Sequence, residues 1–118
     1  MDNSTPEPIL ELAGKYSADV IDYVVDLSAY LGDGASLMDV SVEIDAAGNG
    51  ESPPELSVTD AQAYAAESGG VERAVLFYLE GGTSGVRYRG LIRFGDDQTL
   101  GSPSATRRRS KRFYVVVS

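Results

Sequence analysis

Cysteine and histidine are both absent from the 118 residues. Without Cys there are no disulfides, no thiolate nucleophile and no zinc-thiolate site, a composition compatible with assembly in a reducing cytoplasm. Without His, the chain lacks the side chain that most often acts as general base near neutral pH and most often binds transition metals. Acid-base or metal chemistry would fall on carboxylates, Lys, Tyr or Arg. No apolar run approaches the roughly 20 residues that a membrane helix needs. The amino-terminal stretch MDNSTPEPILELAG has an acidic start and two prolines in place of the basic start and apolar run of a signal peptide. The expectation is a soluble protein made in the cytoplasm, with no membrane contact.

Cations are scarce as well: 10 Lys and Arg face 18 Asp and Glu, a net charge of -8. Their distribution is uneven. Residues 1–72 hold fifteen acids against the single cation Lys15, whereas residues 73–118 hold nine Lys and Arg against Glu80, Asp96 and Asp97. Halves so divided either pair internally or present acidic and basic faces to neighbours.

What is plentiful is short apolar alternation. From Val20 to Leu27, Ile21, Tyr23, Val25 and Leu27 fall on one face and Asp22 and Asp26 on the other, the period of a half-buried strand. Ser28–Leu31 and the corner Gly32-Asp33-Gly34 follow. Leu37–Asp45 alternates again, with Met38, Val40, Val42 and Ile44 expected inward. Residues 46–54 carry Asn-Gly and two prolines and read as a loop. Leu56–Thr59 is a short strand. Asp60–Ser68 is read as a strand or irregular segment with Tyr64 inward, against some helix propensity. Ser68-Gly69-Gly70 is a turn. Val71–Phe94 reads as a hairpin, Ala74–Leu79 and Val86–Phe94 across Gly81-Gly82-Thr83-Ser84-Gly85, and the rest of the chain as strands around it. Residues 98–110 are a polar connection with room for a short strand near Thr99 and Leu100, and Phe113–Val117 is the closing strand.

About seven short strands between Gly, Pro and Asp turns predict an all-β, two-sheet antiparallel sandwich of the immunoglobulin/fibronectin type. At 118 residues it is one domain, able to bury about two-thirds of its unfolded surface. Residues 1–18, interrupted by Pro6 and Pro8, are expected to be an extended arm whose Ile9, Leu10 and Leu12 either fray or dock on an adjacent subunit. The domain proper is then 19–118.

Several constellations invite a functional reading. Tyr88, just inside its strand, matches the tyrosine that returns its hydroxyl to backbone at an immunoglobulin sheet corner. The Gly81–Gly85 stretch lacks the Lys-Ser/Thr and following helix of a phosphate loop, so it is a turn. Arg87, Arg89 and Arg93 share one strand face with Leu91. They either pair with acidic neighbours in the same sheet or bind a partner's carboxylates. Arg107, Arg108, Arg109, Lys111 and Arg112 hold half of all Lys and Arg. They read as a basic loop, solvated or docked on an acidic protein surface. Nucleic acid is the weaker reading, because the domain is acidic overall and has no aromatic stacking platform. Asp22/Asp26, Asp39/Glu43/Asp45 and Asp96/Asp97 raise the questions of paired-carboxylate catalysis and calcium. Alternating acids on a strand are ordinarily its wet face. No catalytic residue, cofactor or metal site is assigned.

The stretch Asp22, Tyr23, Asp26, Leu27, Ser28, Tyr30 and Leu31, with the later Glu80, Gly81, Gly82, Thr83, Gly85 and Tyr88, resembles the motifs of small immunoglobulin-like virion proteins of tailed bacteriophages, the phage fibre-tail adaptor family. The resemblance spans roughly residues 19–118. Leu27 stands where the family often has an aromatic, and the run Arg107–Arg112 is unusually basic. It implies a non-enzymatic virion protein, assembled in the host bacterial cytoplasm. Such a protein joins tail, baseplate, neck or fibre components in several copies around a symmetric ring. The partner-binding residues would be Arg87, Arg89, Arg93, the 107–112 cations and the apolar arm residues. The competing expectation is a capsid-decorating or receptor/carbohydrate-binding module of the same fold.

Overall fold

Where neither proline nor glycine interrupts it, apolar alternation becomes strand. A computed structural model describes residues 10–31, 35–65, 70–96 and 108–118. Its strands are β1 (Leu10–Glu11), β2 (Val20–Asp26), β3 (Leu37–Ala47), β4 (Leu56–Tyr64), β5 (Ala74–Gly81), β6 (Arg87–Asp96) and β7 (Arg108–Val116), with a 3₁₀ turn at Ser28–Tyr30. One sheet has the order β1-β7-β6-β3 and the other β2-β5-β4. All pairs are antiparallel except β1 with β7. This division of the second, fourth and fifth strands from the third, sixth and seventh is the immunoglobulin arrangement. The all-β sandwich expected from the sequence is therefore present. The corner at Gly32–Gly34, the Ser68-Gly69 part of the next turn and the possible strand at Thr99–Leu100 lie outside the described residues.

Val71–Phe94 is not a hairpin. β5 pairs with β2 and β4, β6 pairs with β3 and β7, and the turn between them crosses from one sheet to the other. A hairpin would put the apolar faces of both strands on the same side of one sheet. In opposite layers, Val75, Phe77 and Leu79 instead share one buried core with Tyr88, Ile92 and Phe94. The crossing is tight. Gly82 has φ +99, and a Cβ there would lie 2.7 Å from Val117 Cγ2; only glycine takes both the dihedral and the contact.

The core is centred on three rings: Phe77 lies 5.9 Å from Tyr23 and 5.5 Å from Phe113, centroid to centroid. The second of these contacts spans the two sheets. Gly90 makes room for it, since a Cβ at Gly90 would sit 2.1 Å from Phe113 Cζ. In antibody domains the place two residues after the corner tyrosine holds half of the inter-sheet disulfide. Here an aromatic ring occupies that space.

Two expectations about side-chain direction fail for one reason. The β3–β6 register slips between Met38 and Ser41, and the β4–β5 register slips between Thr59 and Gln62. At each slip an aspartate has left-handed backbone, Asp39 with φ 54 and Asp60 with φ 53. Each bulge inserts a residue and reverses the alternation beyond it. Met38 is turned outward, 37% exposed, while Leu37 is buried; Tyr64 is also turned outward, 38% exposed, while Ala61 and Ala63 pack on the core. The 56–64 segment is one continuous strand.

Candidate docking interface

From Val86, just before β6, inward and outward residues alternate as the pattern predicts: Val86, Tyr88, Ile92 and Phe94 are buried, and Arg87 and Arg93 are exposed with Leu91 half-buried between them. Each of the three arginines has a carboxylate within the chain. Arg87 pairs with Glu11. Arg89 Nε donates to Asp45 Oδ1 at 3.0 Å and Nη2 to Oδ2 at 3.3 Å. Arg93 Nη1 lies 2.6 Å from Glu43 Oε1. Arg87 also stacks 4.0 Å over the Tyr114 ring. The Asp45 hydrogen bond raises the Arg89 pKa. Exposed pairs of this kind contribute little net stability, but they engage the charges a partner would otherwise meet. This face is a ladder spanning β1, β6 and β3 within the four-stranded sheet.

The cations after residue 107 are strand, not loop. β7 begins at Arg108 and pairs with β6 from Gly95↔Arg108 to Arg87↔Val116. Backbone pairing along an inner strand of the sheet overrides the loop-like local composition. The run is thereby split. Lys111, opposite Ile92, is buried with its ammonium 5.3 Å from the Tyr30 ring centroid. Arg109 and Arg112 are exposed, and no ion pair among the described residues involves them. Arg107 and Ile9 lie outside the described residues, as does Asp97.

The amino-terminal segment joins its own domain from Leu10 onward. Leu10 pairs with Phe113 and Glu11 with Tyr114, and Leu10 and Leu12 pack on the core. Tyr23 donates its hydroxyl to the Ala13 carbonyl at 2.7 Å. Lys15 is buried, 3% exposed, and Nζ donates to the carbonyls of Tyr16 at 2.6 Å and Gly81 at 2.7 Å. Burial lowers its pKa, and Asp19 and Glu80 oppose that shift.

The corner at Tyr88 is built from both sides. Its hydroxyl accepts from the Thr83 N–H at 2.8 Å and donates to Glu51 Oε1 at 2.7 Å. Glu51 also accepts from the Thr83 hydroxyl, from Asn49 Nδ2 at 2.8 Å and from the Glu55 N–H at 3.1 Å. Donors from Thr83, Tyr88 and Asn49 lower its pKa to about 2. One carboxylate thus ties the β3–β4 loop, which contains the cis Ser52-Pro53 bond, to the inter-sheet crossing. Glu51, Glu11 and Lys15 carried no signal in the sequence. Each acts through residues distant in the chain, and nothing in local period or spacing marks them.

The outer face of the three-stranded sheet differs in character. Val20 and Val24 are more than half exposed beside Asp22 and Asp26. At one end an open depression of about 410 Å³ is lined by Val24, Asp26, Ser28, Val71 and Arg73. The family profile described as "Podophage GP4 fiber-tail adaptor protein gp77" matches residues 15–98, which span β2 to β6 and stop short of β7. No curated protein and no solved structure matches the chain.

Proposed function

The chain belongs to the podophage GP4 fiber-tail adaptor family, gp77, and from this premise we propose that it joins tail or baseplate components to fibre or neck components by protein-protein contact, without catalysis. As a member of a structural adaptor family it is a virion component. Assembly takes place in the host bacterial cytoplasm, in several copies around one symmetric ring. The observation that carries the reading is the family match over the sandwich. The presentation of Arg109 and Arg112 on a strand outside that match supports a contact particular to this chain. Because Arg87, Arg89 and Arg93 already meet Glu11, Asp45 and Glu43, the docking charge is assigned to β7, with an acidic protein surface as its complement.

Two measurements test this. Mass spectrometry of purified particles should count about six to twelve copies, the number closed rings supply; hundreds of copies would place the protein on the head and refute the adaptor role. The double variant Arg109→Glu, Arg112→Glu should fold normally by circular dichroism yet fail to enter particles. Normal incorporation would remove β7 from the contact.

A further inference from the structure

The two open sheets of this sandwich have four outer edges between them, β1, β3, β2 and β4, and three of these are blunted. β1 is two residues long, β3 carries the bulge at Asp39 and a second irregularity between Ile44 and Ala46, and β4 carries the bulge at Asp60. Short strands and bulges are the usual devices that stop a sheet from recruiting another strand. β2 has none of them. Its seven residues, Val20–Asp26, pair with β5 in an unbroken register, contain no Pro, Gly, Lys or Arg, and end their sheet. Among the described residues no other backbone group pairs with it on its outer side.

We propose that the free edge of β2 is a docking site for an extended segment of a partner virion protein, which adds to the three-stranded sheet as a fourth strand; this rests on the adaptor reading. Backbone hydrogen bonds supply the contact and alternate side chains the choice of partner. The charge on β2 sets the chemistry. Asp22 and Asp26 point outward and Glu80 stands opposite Val20 on the neighbouring strand. The incoming segment therefore alternates apolar residues, which continue the inner face at half-buried Ile21, with Lys or Arg beside the two aspartates. A second copy does not fit. Antiparallel β2–β2 pairing about Tyr23 would set Asp22 opposite Val24 and Asp26 opposite Val20, gathering four carboxylates on one face against a single Arg73 from each copy, which already lies beside its own Asp26.

The test uses the full chain, ¹⁵N-labelled, and a fluorescein-tagged nonapeptide alternating Lys and Val. Binding is read by anisotropy and by hydrogen exchange. The expected result is slower exchange at the alternate amides of Val20–Asp26 that face away from β5, no binding by the same peptide N-methylated on its pairing side, and about tenfold weaker binding to Asp22→Lys. Equal binding of the methylated peptide overturns the proposal, as does protection confined to β6 and β7. Slow exchange at those β2 amides in the free chain also overturns it, because the edge is then already covered by the protein itself. Any of these failures leaves the copy number and particle incorporation untouched, so the adaptor reading stands or falls separately.

Discussion

Replacing Gly90 by alanine probes the contact at the centre of the sandwich. The added Cβ would lie 2.1 Å from Phe113 Cζ and 2.4 and 2.6 Å from Cε1 and Cε2. Carbon atoms prefer separations of about 3.5–4 Å, so the ring must retreat by about 1.5 Å. It has nowhere to go: Phe113 is wholly buried and its ring already lies 5.5 Å from that of Phe77, across from Tyr23. Overpacking of this kind costs about 1–3 kcal/mol, and in a domain of this size it lowers Tm by about 4–15 °C. Alanine for glycine inside a strand would by itself stabilise by about 0.5–1 kcal/mol, so the sign of the change separates the steric account from a backbone one. Urea unfolding with an unchanged m-value is the assay. Adding Phe113→Leu should restore part of the loss, with a coupling energy above about 0.5 kcal/mol. A Gly90→Ala protein as stable as the parent, or additive effects in the double variant, would refute the placement of the ring.

Other outcomes follow from the corner and its carboxylate. Tyr88→Phe keeps the buried ring but strips the Thr83 N–H of its acceptor and Glu51 of a donor; the expected loss is about 1–3 kcal/mol in chemical denaturation, and a change within error would show that the hydroxyl does not lock the corner. Glu51 has its pKa lowered from 4.5 to about 2. Its stabilisation is therefore complete above about pH 4.5 and is lost as pH falls through about 2. The parent should be more stable than Glu51→Gln at pH 7, and the gap should close across that acid window; a gap independent of pH would mean that the carboxylate's charge plays no part.

The strands were legible because burial on one face leaves a period of two in the sequence, and β2, β5 and β6 keep it without interruption. Tyr88 was legible because its place after a glycine turn belongs to the fold. The bulges at Asp39 and Asp60 were not. A left-handed aspartate leaves no local mark, yet the inserted residue sets the two flanks of its strand on opposite alternations, which is why Met38, before one bulge, and Tyr64, after the other, face outward. The site was harder still. Arginines on one face can be assigned from alternation, but Glu11, Glu43 and Asp45 become their partners only once β1 and β3 have been set at the ends of the same sheet. The 107–112 run looked like a loop because charge density is a local property and pairing with β6 is not.

Local chemistry was enough to establish a cysteine-free all-β sandwich, its turns, its corner tyrosine and the resemblance to fibre-tail adaptors, since each depends on period, turn residues and short motifs within a few positions. Tertiary structure alone decided that Val71–Phe94 crosses between sheets, that Lys111 is buried while Arg109 and Arg112 are exposed, and that β2 is the one unbroken outer edge among the described residues. The reason is physical. Which strands lie side by side is settled by how both sheets bury their apolar faces together, and no single segment carries that information.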